Sequence, residues 1–143
     1  MSSAGLAGGH LVVYTDGACR GNPGPSGAGW VICTPQGKLV GQGCAYLGRR
    51  TNNEAEYLAA AMVLTATIAL GVDRIVLRAD SQLMVRQLNG QYQVRNPRIA
   101  VLHQQVIQLT SGLKMFAAEH VLRALNAAAD AQANLGIDSR ASA

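Results

Sequence analysis

The period of the apolar pattern changes near residue 50 of this chain, and that change restricts the available folds more than any other feature. Up to about residue 50 the apolar residues fall in short β-branched and aromatic runs, HLVVYTD (His10 to Asp16), AGWVICT (Ala28 to Thr34) and KLVGQGCAYLG (Lys38 to Gly48). The first run ends in GACRGNPGPSG, which reads as a turn-rich loop, and Pro35-Gln36-Gly37 is a short turn between the other two. Three strands in an antiparallel meander are expected. From Thr51 the spacing becomes helical: Thr51-Asn52-Asn53 supplies capping chemistry, Glu54 and Glu56 sit where a helix N-terminus favours negative charge, and an Ala-rich helix runs to Leu70 before Gly71. DRIVLRAD (Asp73 to Asp80) is a buried-type strand, and SQLMVRQLNG is a helix opened by Ser81 and closed by Asn89-Gly90. A further helix starts at Asn96-Pro97 and ends near Gly112, KMFAAEHVL is a fifth strand, and NAAADAQANLG is a last helix from Asn126 to about Gly136. The order βββαβααβα predicts an α/β fold, a five-stranded mixed sheet of three antiparallel and then parallel strands, flanked by helices. One domain over residues 10–137 is expected, with a flexible leader at 1–9 and a flexible tail at 138–143.

Composition narrows the function. The 143 residues carry 12 Lys+Arg against 8 Asp+Glu, with only 14% charged and 49% hydrophobic. Such a chain has the apolar surface to fold, so it is neither an acidic disordered tail nor a basic histone-like arm, and its mild positive excess suits a polyanionic partner. The longest apolar stretch, Leu58 to Val72, is interrupted by Thr65 and Thr67 and reads as a helix, not a membrane span. Met1 to His10 lacks a positive n-region and an apolar core, so it reads as a small-residue leader and not a signal peptide. Cys19, Cys33 and Cys44 form an odd set without a C-x-x-C, which argues against a disulfide framework or zinc site and makes the cytoplasm the expected compartment.

Three of the eight acids stand where an element's end projects toward the sheet edge. Asp16 closes the first strand, Asp80 closes the fourth, and Asp130 lies one turn into the last helix. The first and fourth strands can be parallel neighbours, and the carboxyl ends of such strands are where open α/β sheets build sites. Carboxylates held this close raise each other's pKa unless a cation intervenes, and oxygen-only ligands suit Mg²⁺ or Mn²⁺. Each residue also has an ordinary structural reading, as a turn aspartate, a helix-dipole glutamate or a solvated helix residue. Singly, those readings are the stronger ones.

Taken together the strings are more specific. YTDGACRGNPGPSGAGW, TNNEAEYLAA, LRADSQLMVRQL and HVLRALNAAADAQAN resemble, in order and spacing, the signature segments of ribonuclease H type 1 from about Val12 to Leu135. The D-G-x-x-x-G-N-P-G-P-x-G loop, followed by N-N-x-x-E, D-S-Q and N-x-x-x-D, carries the resemblance. It implies a ribonuclease H-like fold and a metal-dependent endonuclease that cuts the RNA strand of RNA–DNA hybrids, leaving 5′-phosphate and 3′-hydroxyl ends. The four metal-binding, catalytic carboxylates it implies are Asp16, Glu56, Asp80 and Asp130, with Asp16 bridging two ions. The spacing from the second Asn of N-N-x-x-E selects Glu56 over Glu54, leaving Glu54 as a dipole-compensating surface residue. The mechanism implied is in-line attack by a water on one metal, with a second metal stabilising the departing 3′ oxygen. Asn22, Asn52 and Gln82 match groups that reach the minor groove and its 2′-hydroxyls; Cys19, Thr51 and Asn53 match further substrate-facing positions, with Thr51 and Asn22 the candidates for a DNA-strand phosphate. Such contacts read backbone and shape, so little sequence preference is expected.

The chain departs from the pattern twice. Many members carry a basic, Trp-bearing insertion before the helix that here starts at Asn96-Pro97, whereas Gln87 to Ile99 is short, with Arg95 and Arg98 and no Trp, which implies weaker binding of long hybrids. The loop before the last aspartate is also shortened: His120 is either a structural strand residue or an auxiliary catalytic one, and Arg123 can share the auxiliary role. His10 and His103 read as surface or helix residues. The expected ligands are therefore two Mg²⁺ or Mn²⁺ ions and a hybrid duplex, with no membrane and no organic cofactor, on a monomer. The alternatives are a catalytically weak hybrid-binding domain, or another nuclease on the same sheet such as an integrase or transposase.

Overall fold

The computed structural model describes residues 9–142, without the side chains of the last two of these, and the expected leader lies, apart from Gly9, outside the described residues. The strands are β1 (Leu11–Cys19), β2 (Gly24–Cys33), β3 (Leu39–Arg50), β4 (Arg74–Ala79) and β5 (Met115–His120). The helices are α1 (Asn52–Ala69), α2 (Gln82–Leu88), α3 (Pro97–Ser111) and α4 (Ala127–Asp138), with 3-10 turns at Arg123–Asn126 and Ser139–Ser142. The sheet order is β3-β2-β1-β4-β5, antiparallel from β3 to β1 and parallel from β1 to β5. This is the expected five-stranded mixed sheet. Among the described residues no helix is long and apolar enough to cross a membrane.

Alternation along β1 decides what lies on each face. Leu11 and Val13 point to one side and join Tyr57, Val63 and Leu64 of α1, Met84 of α2 and Val106 of α3 in the main core. Val12 points to the other side, toward α4, which contributes Ala129, Ala133 and Ile137 and packs on β1, β2 and β3. Both faces are covered, so the central strands are buried on both sides.

The meander differs from the expectation at its first turn. Residues 17–27 are mostly strand, not loop, and Asp16 sits within β1, opposite Gly29 of β2. Glycines in β1 and β2 serve close packing. A Cβ on Gly17 would stand 2.3 Å from the Ala55 carbonyl carbon of α1, and one on Gly29 2.1 Å from the Ala133 nitrogen of α4. The turn proper is Arg20 to Pro23, closed by Arg20 N donating to Pro25 O at 2.9 Å. At the other end, where a boundary at residue 137 was expected, α4 runs to Asp138 and the last turn places Arg140 5.6 Å from the Tyr46 ring of β3.

Gly29→Ala tests this packing away from the candidate site. The added methyl must push α4 off the sheet, at a cost of about 2–3 kcal/mol, read as a lower urea midpoint with an unchanged denaturant slope. An unchanged midpoint would contradict the close approach.

Candidate metal centre and adjoining groove

Four acidic side chains converge where β1 and β4 end their parallel pairing. The β1–β4 ladder stops at Thr15–Ala79, so Asp16, still paired with β2 on its other side, and Asp80 follow its last pair side by side. Glu56 comes down from the first turns of α1, where Gly17 lets the helix approach, and its Oε1 accepts from Gly17 N at 2.7 Å. One carboxylate oxygen from each of Asp16, Glu56 and Asp80 lies within 4.8 Å of the other two. Asp130, four residues into α4, lines the same cleft of about 470 Å³, along with His120, Arg123 and Asn52.

This crowding shows in the proton affinities. Burial, then the Glu56 charge, then a hydrogen bond to Asp130 and the Asp80 charge push Asp16 up to about 9. Burial pushes Glu56 up to about 8; the Gly17 amide opposes this and Asp80 adds to it, while the hydrogen bond from Asp16 and the Arg123 charge also oppose it. A proton on Asp16 is thus shared with its carboxylate neighbours. A set of oxygen-only donors that repel when ionised fits a hard divalent cation such as Mg²⁺ or Mn²⁺. Both shifts are upward, so the contribution of these two groups to the stability of the metal-free fold is greatest below the unfolded carboxylate pKa of about 4 and is lost as pH rises through 8 and 9. Asp16→Asn, in EDTA at about pH 9, therefore raises the thermal midpoint, by roughly 3 °C for each kcal/mol of repulsion relieved; a lowered midpoint there would contradict the crowding.

Next to the cleft, and sharing Asn52 with it, lies a groove of about 750 Å³ lined by Asn22, Thr51, Asn53, Asn96, Pro97 and Arg98 among others. Its wall is held by caps. The Thr51 hydroxyl accepts from Glu54 N at 3.2 Å and the Glu54 carboxylate accepts from Thr51 N at 2.9 Å, a reciprocal capping box at the start of α1. Glu54 is buried at 8% exposure and held below its ordinary pKa first by that backbone bond. The expectation of a surface residue is corrected: the box draws the side chain back over the helix end. Asn22 Oδ1 accepts from Asn52 N at 3.1 Å, which ties the β1–β2 turn to α1. The Cys19 thiol donates to the carbonyls of Arg50, at 3.2 Å, and Gly21, so it braces the same turn.

Cys19 and Asn52 thus line the cleft, and Asn22, Thr51, Asn52 and Asn53 the groove. Gln82, exposed at the start of α2, is absent from both linings. His120 closes β5 level with Ala79, and it and Arg123 both line the cleft. Sequence reasoning missed the groove role of Asn96 and Arg98. Asn96 reads as a helix cap, which it is, accepting from Arg98 N and Ile99 N; the signal for more was the short connection that brings the start of α3 to the start of α1. His103 is half-buried, with Nε2 3.3 Å from Gln87 O and its ring edge-on to Tyr57.

Comparison with known proteins bears on this arrangement. Residues 14–136 match the family described as Reverse transcriptase-like. Ribonuclease HI of Halobacterium salinarum is 42% identical over 131 residues, which cover 92% of this chain and 66% of that protein. The bifunctional protein of Mycobacterium tuberculosis is 36% identical over 132 residues, covering 92% of this chain and 36% of its own length. The chain thus spans about two thirds of the first relative and a little over a third of the second. The crystal structure of RNase H1 from Halobacterium salinarum superposes with a TM-score of 0.89 at 41% identity, covering 92% of this chain and 99% of that one. LC11-RNase H1 in complex with an RNA/DNA hybrid superposes with a TM-score of 0.87 at 36% identity, covering 91% and 98%.

Proposed function

The chain belongs to the ribonuclease H type 1 family, and from that premise we propose that it is a divalent-ion-dependent endonuclease that hydrolyses the RNA strand of RNA–DNA hybrids. The products are 5′-phosphate and 3′-hydroxyl ends, and sequence preference is slight. The observation that carries the proposal is the convergence of Asp16, Glu56 and Asp80 within 4.8 Å, with Asp130 on the same cleft. A hybrid-binding domain without catalysis would have no use for acids that repel both one another and a phosphate.

Asp16, Glu56, Asp80 and Asp130 would hold two Mg²⁺ or Mn²⁺ ions. When bound, such ions activate the attacking water and stabilise the departing 3′ oxygen. The remaining roles fall to the protein's own groups. Gly17 N–H fixes the orientation of the Glu56 carboxylate. His120, on the cleft, can pass a proton to the leaving group, and the Arg123 guanidinium, on the same cleft, can offset phosphate charge.

The groove is suited to the second strand of a duplex. Because the Asn22 carbonyl oxygen is committed to Asn52 N, its amide N–H₂ is the end left to meet a ligand. Thr51, whose oxygen accepts from Glu54 N, likewise keeps its O–H to donate. Donors and the Arg98 charge are what a phosphate requires. The engaged Cys19 thiol supports the turn that presents Asn22, and Gln82 is left to contact substrate from outside both linings. Three free cysteines, Cys19, Cys33 and Cys44, suit a reducing cytoplasm, where the protein would act as a monomer with no organic cofactor.

The test is cleavage of a defined hybrid, an RNA duplex and a DNA duplex side by side, with Mg²⁺ and Mn²⁺ in turn. The RNA of the hybrid should be cut and the DNA duplex spared; EDTA and Asp80→Asn should each abolish cutting, the variant keeping a native circular dichroism spectrum. Cutting undiminished by EDTA, or robust cutting of duplex DNA, would overturn the reading.

A further inference from the structure

Asn126, the first residue of the N-x-x-x-D string, has no part in the function proposed above. It is the last residue of the 3-10 turn and the N-cap of α4, and is 1% exposed. An asparagine there ordinarily accepts a hydrogen bond from the first turn of its own helix, as the side chains of Thr51, Ser81 and Asn96 do for α1, α2 and α3. Asn126 makes no such bond. Its Nδ2 donates instead to the Thr15 carbonyl of β1 at 2.9 Å, across 111 residues of sequence, and its Oδ1 has no hydrogen-bond partner among the described residues. Leaving a buried acceptor unmatched costs stability, so the side chain is held away from its cheaper local role.

The location of the bond suggests its purpose. Thr15 immediately precedes Asp16 and is the last β1 residue paired with β4. Its partner Ala79 immediately precedes Asp80, and the Ala79 carbonyl accepts from Val121 N at 3.0 Å. The segment from Val121 to Asn126 is therefore pinned at both ends to the carbonyls that lead into the two sheet carboxylates. One pin is main chain; the other is the Asn126 amide. Asp130 lies four residues beyond Asn126, one turn along on the same face of α4, and lines the cleft with Asp16.

We propose that Asn126 is a positioning residue of the metal centre: its bridge to the Thr15 carbonyl fixes how far Asp130 reaches toward Asp16, and through that sets the affinity for divalent ions. The inference rests on the metal-dependent reading above and extends it to a residue that touches neither ion nor substrate. Outer groups that orient metal ligands act in this way.

A double-mutant cycle read by Mn²⁺ calorimetry on the whole protein tests it, with Asn126→Ala, Asn126→Ser and Asp130→Asn. Serine can cap α4 but is too short to reach β1, so it keeps the helix start while losing the bridge. Both Asn126 variants should weaken Mn²⁺ binding about tenfold, and by less than about threefold once Asp130→Asn is present, with the thermal midpoint of the serine variant preserved. Equal losses in both backgrounds would mean a general structural role, and unchanged Mn²⁺ affinity in Asn126→Ser would mean no positioning role; either overturns the proposal. Should the unmutated protein bind no Mn²⁺, or Asp80→Asn leave its affinity unchanged, the metal-centre reading itself fails and this inference with it.

Discussion

Repulsion among carboxylates organises this protein. Asp16, Glu56 and Asp80 bring oxygens within 4.8 Å of one another in a partly buried cleft, an arrangement that costs the metal-free fold and that a bound cation would relieve. The surrounding structure is what it takes to hold that arrangement. Parallel pairing sets Asp16 beside Asp80, and a glycine at position 17 admits the α1 backbone so that Glu56 can descend between them. Glycine at position 29 lets α4 lie close enough for Asp130 to join. A fold that stores repulsion at one end must supply stability elsewhere, and the fully buried layer of Leu11, Val13, Tyr57, Leu64, Ile75 and Leu77 does so.

All eight acids have a role. Four line the cleft, Glu54 closes the capping box, and Asp73, Glu119 and Asp138 pair with Lys114, Arg78 and Arg20 at the surface. Only four acids outside the cleft stand against the chain's 12 basic residues, a balance that suits a polyanionic duplex far better than the net charge of +4 suggests. Arg98 beside the groove and Arg123 in the cleft place some of that charge next to the surfaces where a hybrid would lie. The exposed ion pairs themselves contribute little to stability.

The element order was legible in the sequence because each element rests on a local signal, a change of period or a cap; Asp16, Asp80 and Asp130 stood out as acids near element ends, whereas Glu56 was set apart from Glu54 only by the resemblance to the ribonuclease H family. What escaped depends on contact between distant segments. Residues 17–27 look like a loop by composition, yet Gly17 and Gly27 are strand residues pressed against helices that lie some 40 and 100 residues downstream. Glu54 looks like a surface acid until its bond to Thr51 N is seen, although the T-x-x-E spacing was itself a capping signal. Asn96 and Arg98 read as the start of a helix; only the packing of α3 on α1 brings them to the groove.

The most direct test of the account is a crystal structure grown in Mn²⁺, with data collected to locate the ion by its anomalous scattering. Density bound by Asp16 together with Glu56, Asp80 or Asp130 is the predicted result. Saturating Mn²⁺ that supports cleavage of a hybrid while leaving those carboxylates empty, or that occupies some other site, would contradict it.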